Sequence, residues 1–145
     1  MKRRILLVDD DLTVLLTLKA VLELNGFEID TASSTSQALS RMESDVYQMV
    51  ITDLRMDTED AGLEVIRAAR RQSYNPATAL LTAYPPDGET WTEEGSPSLL
   101  VKPLGTKDLI RQVEAMLVRH EDEKQLRHRN GVSGGAIRDI NRKVG

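Results

Sequence analysis

The segment Ile5-Leu6-Leu7-Val8-Asp9-Asp10-Asp11 decides the fold of this chain. Its four consecutive apolar residues predict a short strand that is covered on both faces, which is typical of a parallel sheet. Three aspartates follow the strand directly. A buried strand that ends in a cluster of acidic residues predicts both a parallel α/β sheet and a polar site at the edge of that sheet.

A helix is predicted directly after this segment. Residues 12–24 are rich in helix-forming side chains, and Asp11 is expected to cap the first turn. The pair Asn25-Gly26 is a typical helix end. The leucines available for burial in this helix are Leu12, Leu15, Leu16 and Leu22.

The same alternation of strand and helix continues along the chain, as expected for βαβ units on a parallel sheet. Further strands are predicted at residues 27–31, 47–52, 78–81 and 99–101, and further helices at residues 35–42, 63–70 and from a Thr106 cap onward. Between Ala83 and Ser96 there is room for only a short helix. The pattern therefore predicts five strands and five helices.

Composition excludes several classes of protein. The 145 residues are 40% hydrophobic and 29% charged, which is ordinary for a globular domain. There is no cysteine, so disulfides and thiolate sites are excluded, and a cytoplasmic location is expected. No apolar run is long enough to span a membrane, and the basic start is followed by too few apolar residues for a signal peptide.

Charge is distributed unevenly along the chain. Residues 1–118 have 12 basic and 19 acidic side chains, whereas residues 119–145 have 7 basic and 4 acidic ones. An acidic body argues against direct binding of nucleic acid. The short basic tail lacks aromatic side chains and is typical of a solvated linker.

Polar side chains follow four of the predicted strands. Asp9 and Asp10 follow the first, Asp53 the third, Thr82 the fourth and Lys102 the fifth. Each is common alone in a turn or a cap, but ligands of parallel sheets bind where the carboxyl ends of the strands meet. Clustered carboxylates favour a hard cation such as Mg²⁺. A lysine and a hydroxyl can hold phosphoryl oxygens, so the set predicts a phosphoryl-transfer site with an aspartate nucleophile.

Four motifs, in this order and spacing, resemble the receiver domains of bacterial two-component systems. The similarity covers about residues 3–118. The motifs are Ile5-Leu-Leu-Val-Asp-Asp-Asp11, Ile51-Thr-Asp-Leu-Arg-Met56, Leu80-Leu-Thr-Ala83 and Val101-Lys-Pro103. The resemblance implies a flavodoxin-like (βα)5 fold, with a five-stranded parallel sheet in the order 2-1-3-4-5.

The resemblance also implies a role for each site residue. Asp53 matches the residue that accepts the phosphoryl group, and Asp9 and Asp10 match the acidic pair beside Mg²⁺. Asp53 and the main-chain carbonyl of Arg55 match the remaining protein ligands of that ion. Thr82 and Lys102 match the groups that contact the phosphoryl oxygens.

The donor implied by the resemblance is a phosphohistidine on a sensor histidine kinase or a phosphotransfer protein. The resemblance further implies that the regulator catalyses the transfer and its own dephosphorylation, and that phosphorylation changes the surface that a downstream protein recognises. We expect residues 1–120 to form the receiver domain. Residues 121–145 are expected to form a charged tail that is helical at first and then disordered.

Three features depart from the family pattern. The stretch from Thr82 to Lys102 is about two residues shorter than in relatives. The loop after Asp53 usually reads Met-Pro-x-Met-Asp-Gly, whereas this chain has a longer, acidic loop without proline at residues 56–62. Leu99 occupies the position of the aromatic residue that switches rotamer in relatives. These differences concern the read-out of phosphorylation more than phosphorylation itself.

Three alternatives stay open at this stage. The chain can be a receiver module cut from a larger regulator or hybrid kinase. It can be a pseudo-receiver that binds partners independently of phosphate. A hydrolase of the haloacid-dehalogenase type also forms an aspartyl phosphate, but it requires an Asp-x-Asp motif and a cap for which this chain is too short.

Overall fold

The computed structural model describes residues 2–58, 60–82, 98–101 and 105–137, with residues 98, 99, 101 and 128–137 described by their backbone alone. Five strands and four helices occur in these ranges. The strands are β1 (Arg4–Val8), β2 (Glu28–Ala32), β3 (Met49–Asp53), β4 (Ala77–Thr82) and β5 (Ser98–Val101). The helices are α1 (Leu12–Leu24), α2 (Thr35–Ser44), α3 (Ala61–Arg70) and α4 (Thr106–Ile137). The predicted short helix between Ala83 and Ser96 lies outside the described residues.

The five strands form one parallel sheet in the order β2-β1-β3-β4-β5. This confirms the predicted fold class and strand order. Val8 at the end of β1 is in register with Thr52 of β3, and Asp53 is in register with Leu81 of β4. All carboxyl ends therefore meet at one edge of the sheet, where Asp53 and Thr82 end their strands.

The strands are apolar because helices cover both faces of the sheet. Ile5, Leu6, Leu7 and Val8 are all at most 2% exposed. Alternate residues of β1 contribute to different parts of the core. On one side, a cluster joins residues of β1, β2, β3, α2 and α3, namely Leu6, Val8, Ala32, Ala38, Met42, Tyr47, Val50, Val65, Ala68 and Ala69. Leu7 of β1 and Leu15 of α1 line the same small gap in the core.

Helix α1 begins and ends where the sequence predicts. The Asp11 side chain accepts hydrogen bonds from the backbone N–H groups of Thr13 and Val14, at 3.0 and 3.3 Å. After the helix, Gly26 adopts a φ of 92°, a conformation that glycine tolerates better than other residues. Asp11 is thus a cap, as expected.

The buried face of α1 is narrower than predicted. Leu15 and Leu22 are buried, but Leu12 is 64% and Leu16 is 55% exposed. Leu15 and Leu22 are seven residues apart and therefore share one face of the helix, whereas Leu12 and Leu16 lie on an adjoining face that the sheet does not cover. The expectation that all four leucines are available for burial was wrong for these two.

Helix α3 begins earlier than the predicted Leu63. It starts at Ala61, so Gly62 lies in its first turn. The Gly62 N–H donates to the Leu54 carbonyl at 2.8 Å, which joins the start of the helix to the end of β3. The apolar periodicity of the sequence cannot predict this hydrogen bond between Gly62 and Leu54, because it joins backbone groups and not apolar side chains.

Helix α4 is longer than predicted. The Leu109 N–H donates to the carbonyl of Gly105 at 2.9 Å, and Leu109, Val113 and Leu117 are buried at intervals of four residues. We expected the glycines at positions 131, 134 and 135 to end the helix, but it continues to Ile137. A glycine weakens a helix by only about 1 kcal/mol and does not forbid it.

Two compact units divide the chain, residues 1–112 and 113–145, and the boundary falls within α4. The first unit contains the whole sheet. Among the described residues, no helix combines the length and the hydropathy that a membrane span requires.

Candidate functional site

Asp9 follows β1 and is held in place by backbone hydrogen bonds on two sides. Its N–H donates to the Ala32 carbonyl at 3.1 Å, and its Oδ1 accepts from the Asp11 N–H at 3.0 Å. The residue is only 2% exposed, while its neighbour Asp10 is exposed. A buried carboxylate that accepts from a backbone amide, on a backbone that is itself hydrogen-bonded, is a fixed ligand position, and Asp10 adds a second carboxylate from the solvent side.

Asp53 is the last residue of β3 and is half-buried. Its Oδ1 accepts a hydrogen bond from the Leu54 N–H at 2.8 Å, so the first peptide after the strand orients the carboxylate. The backbone of Asp53 is held as well, since the Thr52 hydroxyl donates to its carbonyl at 2.9 Å. The first contact orients the carboxylate, and the second holds the main chain that carries it at the carboxyl edge of the sheet.

Asp9, Asp10 and Asp53 converge on one point. Each offers a carboxylate oxygen, and these oxygens lie within 4.8 Å of one another. In the part of the chain that the structure describes, no other group of three His, Cys, Asp or Glu side chains is arranged in this way. Three carboxylates this close repel one another, and a hard divalent cation relieves the repulsion. The set therefore forms a candidate metal site.

Thr82 ends β4, next to the strand that carries Asp53. Because Asp53 is in register with Leu81, Thr82 lies one residue further toward the carboxyl edge on the neighbouring strand. It is 3% exposed, so its hydroxyl is a buried polar group. Val101 of β5 is in register with Thr82 on its other side. Lys102 directly follows Val101 in the sequence.

Some predicted site residues are not placed by the structure. Lys102 lies outside the described residues, and Leu99 is described by its backbone alone. Arg55 is exposed, directly after the Asp53-Leu54 pair. The structure thus brings together Asp9, Asp10 and Asp53.

Sequence reasoning missed two further features of the site. A Cβ atom on Gly62 would overlap the carbonyl oxygen of Asp53, so this position requires glycine. The Thr35 Oγ1 hydroxyl donates to Asp57 Oδ1 at 3.3 Å, which joins the loop after Asp53 to helix α2. Gly62 could have been found as the glycine of the family loop motif, whereas no sequence signal connects Thr35 with Asp57.

Comparison with known proteins agrees with the geometry. The sequence model of the response regulator receiver domain matches residues 5–114. The chain is 33% identical over 118 residues to a transcriptional regulatory protein CpxR homologue of Haemophilus influenzae, covering 80% of this chain and 51% of that protein. It is 34% identical over 131 residues to AlgB, an alginate biosynthesis transcriptional regulatory protein of Pseudomonas aeruginosa, covering 83% of this chain and 29% of that protein.

A solved structure is similar as well. The response regulator TrrA of Thermotoga maritima, solved in complex with Mg²⁺ and BeF, is 31% identical and superposes with a TM-score of 0.66. The match covers 79% of this chain and 98% of that one. By contrast, the chain spans only about half the length of the CpxR homologue and under a third of AlgB.

Proposed function

This chain belongs to the response regulator receiver domain family, and we propose that it accepts a phosphoryl group on Asp53 in the presence of Mg²⁺. The observation that carries the proposal is the convergence of the Asp9, Asp10 and Asp53 carboxylates within 4.8 Å at the carboxyl edge of the sheet. We assign Asp53 as the nucleophile of the three because it matches the phosphoacceptor position of the receiver family. Its place at the end of the central strand β3 and the hydrogen bond from the Leu54 N–H are consistent with that role.

The proposed transfer proceeds by displacement at phosphorus. A bond forms between a carboxylate oxygen of Asp53 and phosphorus while the bond from phosphorus to the donor histidine nitrogen breaks, and the imidazole leaves with that electron pair. In dephosphorylation, a water oxygen attacks phosphorus while the bond between phosphorus and the Asp53 oxygen breaks. The Asp53 carboxylate is regenerated, and inorganic phosphate leaves with the two protons of the water. Bound Mg²⁺ supplies positive charge that neutralises the phosphoryl oxygens.

The residues around Asp53 have separate tasks in this proposal. Asp9 and Asp10 hold the cation together with Asp53, and the main-chain carbonyl of Arg55 is a further ligand. The Thr82 hydroxyl donates to a phosphoryl oxygen from the neighbouring strand. Lys102 stays a prediction for the second contact to those oxygens, on the strength of its position directly after β5.

The proposed partners rest on membership of the receiver family. We propose a sensor histidine kinase or a phosphotransfer protein as the donor, in the cytoplasm, and a downstream protein that recognises the phosphorylated surface. TrrA was solved in complex with Mg²⁺ and BeF, which supports the proposal that this chain also binds Mg²⁺ and a phosphoryl-type ligand. Because the chain covers about half of the CpxR homologue, we include the alternative that it is the receiver module of a larger regulator.

The test is phosphorylation by acetyl phosphate and Mg²⁺, measured by intact mass. We expect the parent protein to gain one phosphoryl group and Asp53→Asn to gain none. Asp11→Asn is the matched control: it removes a neighbouring carboxylate outside the cluster, and asparagine caps a helix as well as aspartate does. Phosphorylation of the Asp53→Asn variant would refute the assignment. A parent protein that neither reacts nor binds beryllofluoride would be a phosphate-independent module.

A further inference from the structure

The loop between β3 and α3 (residues 54–60, the β3–α3 loop) is tied to a helix that the proposed reaction does not use. Thr35 Oγ1 of α2 donates to Asp57 Oδ1 of this loop at 3.3 Å. The two residues are 22 positions apart in sequence. The contact therefore joins two βα units of the sheet at the edge where the carboxylates meet.

The two ends of this hydrogen bond differ in how firmly they are held. Thr35 is 8% exposed and is the first residue of α2, which is capped by the Ser34 side chain through the Gln37 N–H at 3.2 Å. Asp57 is exposed on the loop. The carboxylate also lies near the positive end of the α2 dipole, which favours a negative group. Thr35 is thus fixed by its helix, and its hydroxyl holds the exposed Asp57 side chain in place.

A second anchor acts on the same loop one residue earlier. Met56 packs against the core cluster that contains Leu6 and Val8, and its N–H donates to the Thr58 carbonyl at 3.0 Å. Met56 and Asp57 directly follow Arg55, whose main-chain carbonyl is the proposed cation ligand besides the three carboxylates. With Asp53 fixed in β3 before it and these two anchors after it, the Arg55 peptide has little freedom.

We infer that Thr35 and Asp57 are positioning residues for the divalent cation: their hydrogen bond holds the Arg55 carbonyl in the position from which it binds the ion. The inference rests on the proposed function. Partners that orient a metal ligand commonly change metal affinity when they are removed. Among the described residues, the group of converging carboxylates does not include Asp57, so its role is to hold the loop.

Two pairs of variants separate the hydrogen bond from charge and from packing. Thr35→Val removes the hydroxyl at nearly constant volume, whereas Thr35→Ser keeps it. Asp57→Ala removes the acceptor, whereas Asp57→Asn keeps an acceptor oxygen and removes the charge. We expect Mg²⁺ to bind about fivefold more weakly to Thr35→Val and Asp57→Ala, the factor that one net hydrogen bond contributes. Thr35→Ser and Asp57→Asn should stay within about twofold of the parent.

The measurement is isothermal titration calorimetry with Mg²⁺ on the full chain. Hydrogen exchange at the backbone amides of residues 55–58, without Mg²⁺, is the second readout and should be faster in the two weakened variants. The double variant Thr35→Val with Asp57→Ala should bind no more weakly than either single variant, because both remove the same contact. If Thr35→Val does not fold, the comparison of Asp57→Ala with Asp57→Asn decides, since Asp57 is exposed.

The outcomes separate this inference from the proposed function. Normal Mg²⁺ binding by the parent and by Asp57→Ala would overturn the positioning role and leave Asp53 as phosphoacceptor. Equal weakening in Asp57→Asn and Asp57→Ala, with Thr35→Val unchanged, would assign the effect to charge and also overturn it. A folded parent protein that binds no Mg²⁺ would refute the proposed function and, with it, this inference.

Discussion

Gly62 lies against the end of β3 so closely that no side chain fits between it and Asp53. A Cβ atom on Gly62 would overlap the Asp53 carbonyl oxygen and lie 2.7 Å from the Cα atom of Leu54. The Gly62 N–H meanwhile donates to the Leu54 carbonyl at 2.8 Å. The first turn of α3 therefore supports the strand end that carries the proposed phosphoacceptor, and it does so because residue 62 has no side chain.

Gly62→Ala is expected to destabilise the protein and to slow phosphorylation. The added methyl group must displace backbone atoms of β3, and overpacking of this kind costs about 1–3 kcal/mol or more. Gly105→Ala is the control, because the nearest atom to its added Cβ is the Asp108 carboxylate oxygen at 4.0 Å. Urea unfolding and the rate of mass gain with acetyl phosphate test both effects. Equal stability of the two variants would contradict the close approach seen here.

Asp10→Asn is expected to raise the melting temperature when no divalent cation is bound. It removes one of three converging carboxylates, and like charges at this separation repel. The same change should reduce the stabilisation that Mg²⁺ gives, because a ligand has lost its charge. Thermal unfolding with chelator and with Mg²⁺ measures both terms, and Asp11→Asn serves as the control. The prediction fails if Mg²⁺ raises the melting temperature of Asp10→Asn as much as that of Asp11→Asn.

Two leucines of α1 are expected to respond differently to truncation. Leu22 is fully buried, so Leu22→Ala should lower the free energy of unfolding by about 2–5 kcal/mol. Leu16 is 55% exposed, so Leu16→Ala in the same helix should change it by less than about 1 kcal/mol. Both substitutions alter helix propensity equally, and chemical denaturation compares them. Similar losses would mean that Leu16 is covered in solution.

Tyr47 is expected to make the protein sensitive to alkaline pH. Burial raises the pKa of its hydroxyl well above the usual value, and its hydrogen bond to Asp30 Oδ2 at 2.7 Å raises the pKa further. The folded state thus favours the neutral form. Its contribution is fully present below about pH 10 and is lost as the pH rises further, because the unfolded chain ionises first. Free energies of unfolding measured above pH 10 should fall more steeply for the parent than for Tyr47→Phe. Equal slopes would rule out this role for Tyr47.

Local patterns were sufficient for most of the sheet and for the acidic site. Four apolar residues before Asp9, and a similar run before Asp53, predict buried parallel strands whose carboxyl ends share an edge. The structure confirms the fold, and it brings together the carboxylates of Asp9, Asp10 and Asp53. The patterns predict that the strands are parallel, and the strand order implied by the family resemblance makes β1 and β3 neighbours, so the two acidic strand ends lie side by side.

The sequence by itself therefore determined the fold class and the acidic residues at the sheet edge. Tertiary structure alone decided that Leu16 is exposed, that Gly62 contacts Asp53 and that Thr35 holds Asp57. Each of these depends on the distance and rotation between elements that are far apart in the chain. The periodicity of a single helix or strand contains no information on that geometry, which arises only when the side chains of several elements pack against one another.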